Sequence, residues 1–385
     1  MKDVVIVSAS RTPIGSFMGA FSDVQAKTLG AVSLRETIRR SGIDPRLIDE
    51  VIIGNISGTD PKGNPAREAA LDAGVPIEVP AFTVNKNCAS SIKSVSLAAT
   101  MIKAGEADIM LAGGMENMTR IPYVIRNARK GLRMGKDTID DLLSDLLEGM
   151  GLTAERLAKM YSISREEQDR FAYSSQMKAA KAMESGAFDD EIIPVDVMTR
   201  KGTVTVSKDE GVKPGTTLEG LAKLRPNFMK DGTVTAGNSS TINDAGASVL
   251  LMSGEKAKEL RLKPLARVVG WASAGCDPDI MGIGPVPATR KLLEKTGMKL
   301  SDFGLVELNE AFAAQSLAVL RELDFDIDRV NVNGGGIALG HPTGATGSVL
   351  ITKLIYAMKK RNVEAGLVTL CIGGGQGMSL AIENI

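Results

Sequence analysis

"ASSIKSVSLAATMIKAGEADIMLAGG", residues 89–114, combines an apolar helical pattern over 89–105 with a buried-strand pattern over 107–114. Gly105 separates the two patterns and predicts the end of the helix. The same order returns in the second half of the chain, where "GATGSVLITKLIYAMKK" (344–360) precedes "GLVTLCIGGG" (366–375). Helices that alternate with buried strands predict an α/β fold, with parallel strands covered by helices.

The segments upstream of these two stretches also correspond. "PRLIDEVIIGNI" (45–56) and "SDFGLVELNEAF" (301–312) are both strand-like, and Asn309 follows Asn55 by 254 positions. Cys88 precedes the first apolar helix, and His341 precedes the second one 253 positions later. The near-constant offset predicts two copies of one α/β unit.

Between the copies lies a region of different character, roughly 120–240. It is richer in charge and mostly helical, and "SREE" (164–167) predicts a helix N-terminus. We interpret it as a long loop domain inserted over one face. Its segment "IRNARKGLRMGK" (125–136) is basic and contains no acidic residue. A solvated loop, a ligand patch and an oligomer contact are all compatible with that segment.

Composition excludes several classes of protein. The 385 residues predict two or three domains, and the 46 basic and 46 acidic residues balance, which argues against a dedicated nucleic-acid binder. Three cysteines cannot build a disulfide framework and indicate free thiols in a reducing compartment. The single histidine argues against a structural zinc site. Because no apolar run approaches membrane-spanning length, we expect a cytoplasmic protein that does not bind membranes.

Cys88 lies in "VNKNCASSIKS" (84–94), where a strand-like segment gives way to a helix. Unpaired N–H groups at a helix N-terminus stabilise a thiolate, so this position suits a nucleophile. A buried structural cysteine is the alternative.

Cys371 ends an apolar strand in "LCIGGGQGMSL" (370–380), and three glycines follow it. Successive glycines leave backbone N–H groups free to face a ligand oxygen, as an oxyanion site requires. A simple tight turn is equally compatible with the run. The spacing matches neither a dinucleotide fingerprint nor a P-loop.

His341 lies in the glycine-rich stretch "NVNGGGIALGHPTGATG" (331–347). A ring held in such a turn suits a general base, although a polar loop residue is the plain alternative. Asn309 follows a strand in "VELNEAFAAQS" (306–316) and precedes a helix. It would be an N-cap by default, and it could also orient a water or a ligand carbonyl.

Four of these blocks resemble, in order, the signature blocks of the thiolases: "NCASS" (87–91), "NEAFA" (309–313), "GGGIALGHPTGATG" (334–347) and "CIGGGQG" (371–377). Four further stretches match the family in order, so that the resemblance covers essentially the whole chain: "SASRTPIGSF" (8–17), "KLRPNF" (223–228), "TVTAGNSSTINDAGAS" (233–248) and "MGIGPVPATRKLL" (281–293). The resemblance is closest to the branch that acts on acetoacetyl-CoA.

The resemblance implies a five-layered αβαβα fold made of two duplicated βαβαβαββ halves with an inserted loop domain. On this basis, residues 1–120 with about 241–265 form the N-terminal half. Residues 121–240 form the inserted loop domain, and residues 266–385 form the C-terminal half. The resemblance also suggests dimers, often paired into tetramers through a loop of the inserted region.

The resemblance also implies a role for each candidate. Cys88 would be the nucleophile that takes the acyl group, and His341 the base that activates it. Asn309 would hold a water that shares an oxyanion hole with His341. Cys371 would be the second acid/base. Gly373 and the Cys88 amide would form the other oxyanion hole.

The implied reaction is the reversible condensation of two acetyl-CoA molecules to acetoacetyl-CoA and CoA, with no metal or organic cofactor. For coenzyme A, the resemblance indicates one residue near the nucleotide phosphate, two beside the pantetheine and two that line the pocket: Lys213, Ser240, Ala236, Met150 and Met281.

Three alternatives leave the substrate range and the activity open. "LLEGMGLTAE" (146–155) lacks the histidine that short-chain biosynthetic thiolases usually carry before this methionine, so a broad-range degradative 3-ketoacyl-CoA thiolase is the alternative. A thiolase-like protein that binds CoA or lipid without catalysis is a further alternative, against which the intact candidate residues argue. An acyl-carrier condensing enzyme is a related alternative. That family generally uses one cysteine with two histidines or with a histidine and an asparagine, and the one histidine of this chain cannot supply the pair of histidines.

Overall fold

The structure is a computed structural model that describes residues 2–58, 63–126, 129, 131 and 139–385. Its strands are β1 Val4–Arg11, β2 Gly15–Ser16, β3 Glu50–Gly54, β4 Ala81–Val84, β5 Ile109–Asn117, β6 Tyr123–Ile125, β7 Ile139–Asp141, β8 Val195–Thr199, β9 Gly202–Val206, β10 Asn243–Ser253, β11 Ala266–Gly275, β12 Leu305–Leu308, β13 Ala365–Ile372 and β14 Gln376–Asn384. Its α-helices are α1 Ala26–Ser41, α2 Pro65–Asp72, α3 Ser90–Ala104, α4 Leu142–Leu147, α5 Met150–Met160, α6 Arg165–Glu184, α7 Leu218–Ala222, α8 Gly254–Glu259, α9 Pro285–Thr296, α10 Ala313–Leu323, α11 Gly336–Leu339 and α12 Thr346–Arg361.

The large sheet is built from two halves with the same topology. In the N-terminal half the order is β4-β3-β5-β10-β1, and in the C-terminal half it is β12-β13-β14-β11. In both halves the first pairs are parallel and the last two antiparallel. A parallel bridge between Val306 and Val330 takes the place of β4 in the second half. The halves meet where β1 pairs with β11, over only two residue pairs. The repeat predicted from the sequence is therefore present.

Three apolar clusters divide the fold into five layers. The first cluster holds α3 and α12 between the two halves of the sheet. The second packs α1 and α2 against the outer face of the N-terminal half, and the third packs α9 and α10 against the outer face of the C-terminal half. Because α3 and α12 are covered on both sides, they are apolar over most of their surface. The αβαβα layering agrees with the predicted fold.

Local signals account for several helix ends. Gly105 adopts φ +82° at the end of α3, in the left-handed region that glycine enters at little cost. α6 begins with the predicted capping box, in which Ser164 Oγ accepts from the Glu167 N–H and Glu167 Oε2 accepts from the Ser164 N–H.

Residues 118–242 lie between β5 and β10. Their described part contains the β6–β7 ribbon, α4 to α6, the β8–β9 hairpin and α7. Arg11, fully buried on β1, ties this segment to the sheet, because its guanidinium pairs with Glu191 at 2.8 Å and with Asp209 at 2.8 Å. The basic segment 125–136 falls largely outside the described residues. Within the described ranges, no helix has both the length and the hydrophobicity that crossing a bilayer requires.

Candidate active site

The N-termini of α3 and α12 meet in the central layer. A Cβ added at Gly347 would lie 2.5 Å from the backbone nitrogen of Ile92, so only glycine permits this approach. The Ser348 N–H also donates to Ser91 Oγ at 3.0 Å. Cys88 lies two residues before α3, and His341 lies five residues before α12. The helix contact therefore brings two residues that are 253 positions apart to one place.

Cys88, Cys371 and His341 line one cavity of about 400 Å³. Cys88, His341 and Cys371 each expose less than a tenth of their surface. Met150, Met281 and other largely apolar side chains complete the lining. A thioester carbonyl that entered this cavity would meet two thiols and one imidazole with little competing water.

Burial raises the pKa of the Cys88 thiol, while the backbone N–H groups of Gly373 and of Cys88 itself oppose that rise. From its position before a helix we expected a stabilised thiolate. The difference arises because Cys88 is 6% exposed, and the loss of hydration outweighs the N–H groups. Cys88 therefore rests as a neutral thiol and needs a base to become a nucleophile.

His341 is held through its Nδ1 atom, which lies 2.7 Å from Thr346 Oγ1. The Thr346 hydroxyl donates to the Pro342 carbonyl at 2.9 Å, so we assign the ring proton to Nδ1, from which it is donated to Thr346. Nε2 then carries the free lone pair. Burial lowers the pKa of His341 to about 4. The ring is therefore neutral at pH 7 and able to accept a proton at Nε2.

Asn309 is not the N-cap that its position suggests, because α10 begins later and its N-cap is Phe312. The backbone bends at Ala311 and is extended at Phe312 before the helix starts. The Nδ2 atom of Asn309 lies 3.4 Å from His341 Nε2. Its buried Oδ1 has no hydrogen-bond partner within the described part of the chain. Because an amide nitrogen only donates, the contact between Nδ2 and Nε2 is a long hydrogen bond from Asn309 to the Nε2 lone pair, and the amide forms a polar edge beside that nitrogen.

Cys371 is the penultimate residue of β13, as the apolar run predicted. Burial and the neighbouring Cys88 raise the pKa of the Cys371 thiol well above its usual range. The strand then enters the turn at Gly373–Gly375. Gly373 is the residue whose N–H faces the Cys88 sulfur.

The five residues expected at coenzyme A fall into two adjoining cavities. Ser240, Ala236, Met150 and Met281 line the cavity that holds the cysteines. Lys213 lines a second cavity of about 440 Å³, which shares Ala236 and Thr241 with the first. The cavity lined by Lys213 therefore adjoins the one that holds the thiols.

Two buried groups at this site were missed from the sequence. Thr346, which fixes the ring of His341, gave no signal, because a threonine at a helix start is ordinary. Glu116, the penultimate residue of β5, accepts hydrogen bonds from the Ile56 N–H at 2.9 Å and the Gly344 N–H at 3.2 Å. Burial raises its pKa. It ties the loop of His341 to the N-terminal half.

No group of three His, Cys, Asp or Glu side chains suited to a metal ion occurs among the residues that the structure describes.

Comparison with known proteins places this site in a family. The thiolase N-terminal domain family matches residues 4–255, and the thiolase C-terminal domain family matches residues 262–384. The chain is 52% identical to an acetyl-CoA acetyltransferase from Pseudomonas aeruginosa, with 99% of each chain covered.

Solved structures agree. The chain superposes on a Bacillus anthracis acetyl-CoA acetyltransferase with a TM-score of 0.98 and 47% identity, covering 100% of this chain and 99% of that one. It superposes on a human mitochondrial 3-ketoacyl-CoA thiolase in complex with CoA with a TM-score of 0.96 and 42% identity, covering 100% and 98%. The chain therefore belongs to the thiolase family.

Proposed function

We propose that the protein is an acetyl-CoA C-acetyltransferase (EC 2.3.1.9), which condenses two acetyl-CoA molecules reversibly to acetoacetyl-CoA and CoA. The convergence of Cys88, Cys371 and His341 on one buried cavity is the observation that carries the proposal. The acetyl-CoA acetyltransferases that resemble the chain along its whole length support it.

Acylation comes first in the proposed reaction. His341 Nε2 takes the proton of Cys88, and the sulfur attacks the thioester carbonyl of acetyl-CoA. The carbon–sulfur bond to CoA breaks, and the departing thiolate takes the proton of the Cys371 thiol, while the imidazolium of His341 keeps the proton of Cys88. Cys88 is left as an acetyl thioester, which keeps the activation of the substrate.

Condensation follows. The thiolate of Cys371 removes a proton from the methyl group of a second acetyl-CoA, and the resulting enolate carbon attacks the acetyl carbonyl on Cys88. The new carbon–carbon bond replaces the bond to the Cys88 sulfur, so acetoacetyl-CoA leaves. Cys371 keeps the methyl proton and is a thiol again, and the imidazolium of His341 returns its proton to the Cys88 sulfur. Run backwards, the same steps cleave acetoacetyl-CoA with CoA.

Developing negative charge on oxygen needs fixed donors. We assign the Gly373 and Cys88 N–H groups to the acyl carbonyl, because both interact with the Cys88 sulfur. We assign the edge formed by His341 and Asn309 to the enolate oxygen. Losing one such donor typically costs about 2.7–4 kcal/mol of transition-state stabilisation.

Coenzyme A would enter along the two adjoining cavities. Ser240 and Ala236 would lie beside the pantetheine, and Lys213 would face a phosphate at the outer end. Met150 and Met281 would bound the acyl group. Coenzyme A serves as a carrier and leaving group, and the proposed chemistry uses no resident metal or organic cofactor.

We also propose the division into residues 1–120 with about 241–265, residues 121–240, and residues 266–385. The repeated sheet topology supports this division. The match to the N-terminal domain family ends at residue 255 and the match to the C-terminal one begins at residue 262, close to the proposed start of the C-terminal half. A homodimer or homotetramer in the cytoplasm fits the family and the three free cysteines.

A broad-range 3-ketoacyl-CoA thiolase is the second candidate. The apolar lining around Met150 and Met281 favours it, as does the resemblance to a human 3-ketoacyl-CoA thiolase. Thiolysis rates on 3-ketoacyl-CoA substrates of increasing chain length discriminate the two. A steep fall beyond four carbons supports the acetyltransferase, and a flat or rising profile supports the broad-range enzyme.

Intact-mass spectrometry tests the chemistry directly. Incubation with acetyl-CoA should add one acetyl group, and Cys88→Ser should abolish the adduct. Cys276→Ser is the matched control, because Cys276 is only partly buried and the catalytic cavity is lined by the other two cysteines. An adduct that persists in Cys88→Ser would refute the assignment of the nucleophile.

A further inference from the structure

Asn87 connects the corner that carries Cys88 to the turn that follows Cys371. Its backbone adopts φ +47°, a left-handed conformation that asparagine tolerates better than most side chains. Its side-chain Nδ2 donates to the Gly373 carbonyl at 3.0 Å. The bond joins residues 286 positions apart, one in each half of the duplicated fold.

Gly373, which accepts this hydrogen bond, is also the residue whose backbone N–H faces the Cys88 sulfur. On its N-terminal side Gly373 continues from β13, where Ile372 pairs with Gln376. On its C-terminal side Gly374 and Gly375 have φ +89° and +80°, in a turn without side chains of its own. The amide of Asn87 fixes the Gly373 carbonyl at the point where the strand stops restraining the backbone.

Asn87 acts from outside the reaction space. It lines a neighbouring cavity of about 510 Å³ rather than the cavity that holds the two thiols. A Cβ added at Gly373 would lie 2.8 Å from Met150 Cε and 3.6 Å from Asn87 Nδ2. The glycine is therefore enclosed between the methionine and the asparagine.

We propose that Asn87 is a positioning residue: its hydrogen bond to Gly373 holds the Gly373 N–H towards the Cys88 sulfur and the acyl oxygen. The inference rests on the proposed role of Cys88. It assigns to Asn87 an effect on the chemical step and on thiol reactivity, and little effect on the binding of acetyl-CoA.

Asn87→Gly removes the amide and keeps the left-handed backbone accessible. Asn87→Asp keeps the shape but replaces the donor with a carboxylate that only accepts. Asn362→Gly is the control. Asn362 also has a left-handed backbone, with φ +53° at the end of α12, so this variant makes the same substitution in the same backbone conformation away from the site. For each variant we measure kcat and KM for acetyl-CoA, and the pH dependence of Cys88 alkylation by iodoacetamide.

Both Asn87 variants should lose about tenfold to a hundredfold in kcat, less than the loss of a whole oxyanion donor, with KM changed by less than about threefold. Their alkylation profiles should move to higher pH, while Asn362→Gly stays close to wild type. If Asn87→Gly does not fold, Asn87→Asp decides the question.

Wild-type kcat and alkylation in a folded Asn87 variant would overturn the inference, and so would a loss confined to KM or matched by the control. The acetyl adduct and its loss in Cys88→Ser report on the proposed function separately. A failure of that test is therefore distinguishable from a failure of this one.

Discussion

Thr346 Oγ1 accepts a hydrogen bond from His341 Nδ1 at 2.7 Å and donates its own proton to the Pro342 carbonyl at 2.9 Å. One hydroxyl thus decides which nitrogen of the only imidazole in the chain carries the proton. Because Nδ1 is used in this way, Nε2 is left to accept the proton of Cys88.

Thr346→Val should therefore lower kcat by about a hundredfold, within the range typical of lost general-base catalysis. The valine leaves a buried Nδ1–H without an acceptor, which favours the tautomer with the proton on Nε2. Thr346→Ser keeps the hydroxyl and should retain most of the activity. Steady-state assays of both variants check the assignment, and equal rates for valine and serine would contradict it.

The imidazole of His341 should remain neutral through mildly acidic pH, because burial lowers its pKa to about 4. An unfolded histidine titrates near 6.5, so the unfolded chain binds more protons between these values. The contribution of this group to stability is therefore lost as the pH falls from 6.5 towards 4.

NMR on protein labelled with ¹³C-histidine and purified without a histidine tag reports this one ring without any assignment step. The ring signal should stay constant from pH 8 to pH 5.5. A midpoint near 6.5 would show that the ring is hydrated, contrary to the geometry described.

Cys371→Ala should separate the two chemical steps. Cys88 and His341 remain in place, so acetylation should still appear in the intact mass. Acetoacetyl-CoA formation should fall by at least about a hundredfold, because no group is left to take the methyl proton. Cys276→Ala serves as the control and should condense at close to the wild-type rate. Unimpaired condensation in Cys371→Ala would refute its role.

Arg11→Met should lower the free energy of unfolding by about 3–5 kcal/mol, because Asp209 and Glu191 would be left buried without their partner. Urea unfolding followed by circular dichroism measures the loss. Arg46→Met is the control, since Arg46 pairs with Asp44 at the surface and its loss should change the midpoint little. Similar losses of unfolding free energy in the two variants would show that the buried ion pairs of Arg11 stabilise the fold no more than the surface pair of Arg46.

Much of the fold was predictable from short-range pattern. The apolar stretch 89–105 and its counterpart at 344–360 are α3 and α12, and the strands that follow them are β5 and β13. The order of the four blocks around Cys88, Asn309, His341 and Cys371 predicted that these residues meet. The hydrophobic pattern predicts these helices correctly because α3 and α12 are buried on nearly every side.

What the sequence could not supply depends on partners far along the chain. The helix N-terminus favoured a thiolate at Cys88, but the depth of burial, which only the packed layers determine, reverses the shift. The N-cap rule misplaced Asn309 because α10 starts only at Ala313, after a bend at Ala311 and an extended Phe312. Thr346, Asn87 and Arg11 look unremarkable in sequence, since each acquires its role from one contact across the fold.

The matching topology of the two halves has a consequence for the chemistry. At corresponding corners one half carries the thiol of Cys88 and the other the imidazole of His341, so two identical copies of the N-terminal unit would place a second thiol where a proton acceptor is needed. The proposed reaction therefore requires a single chain whose two halves share a topology and differ in sequence at this corner.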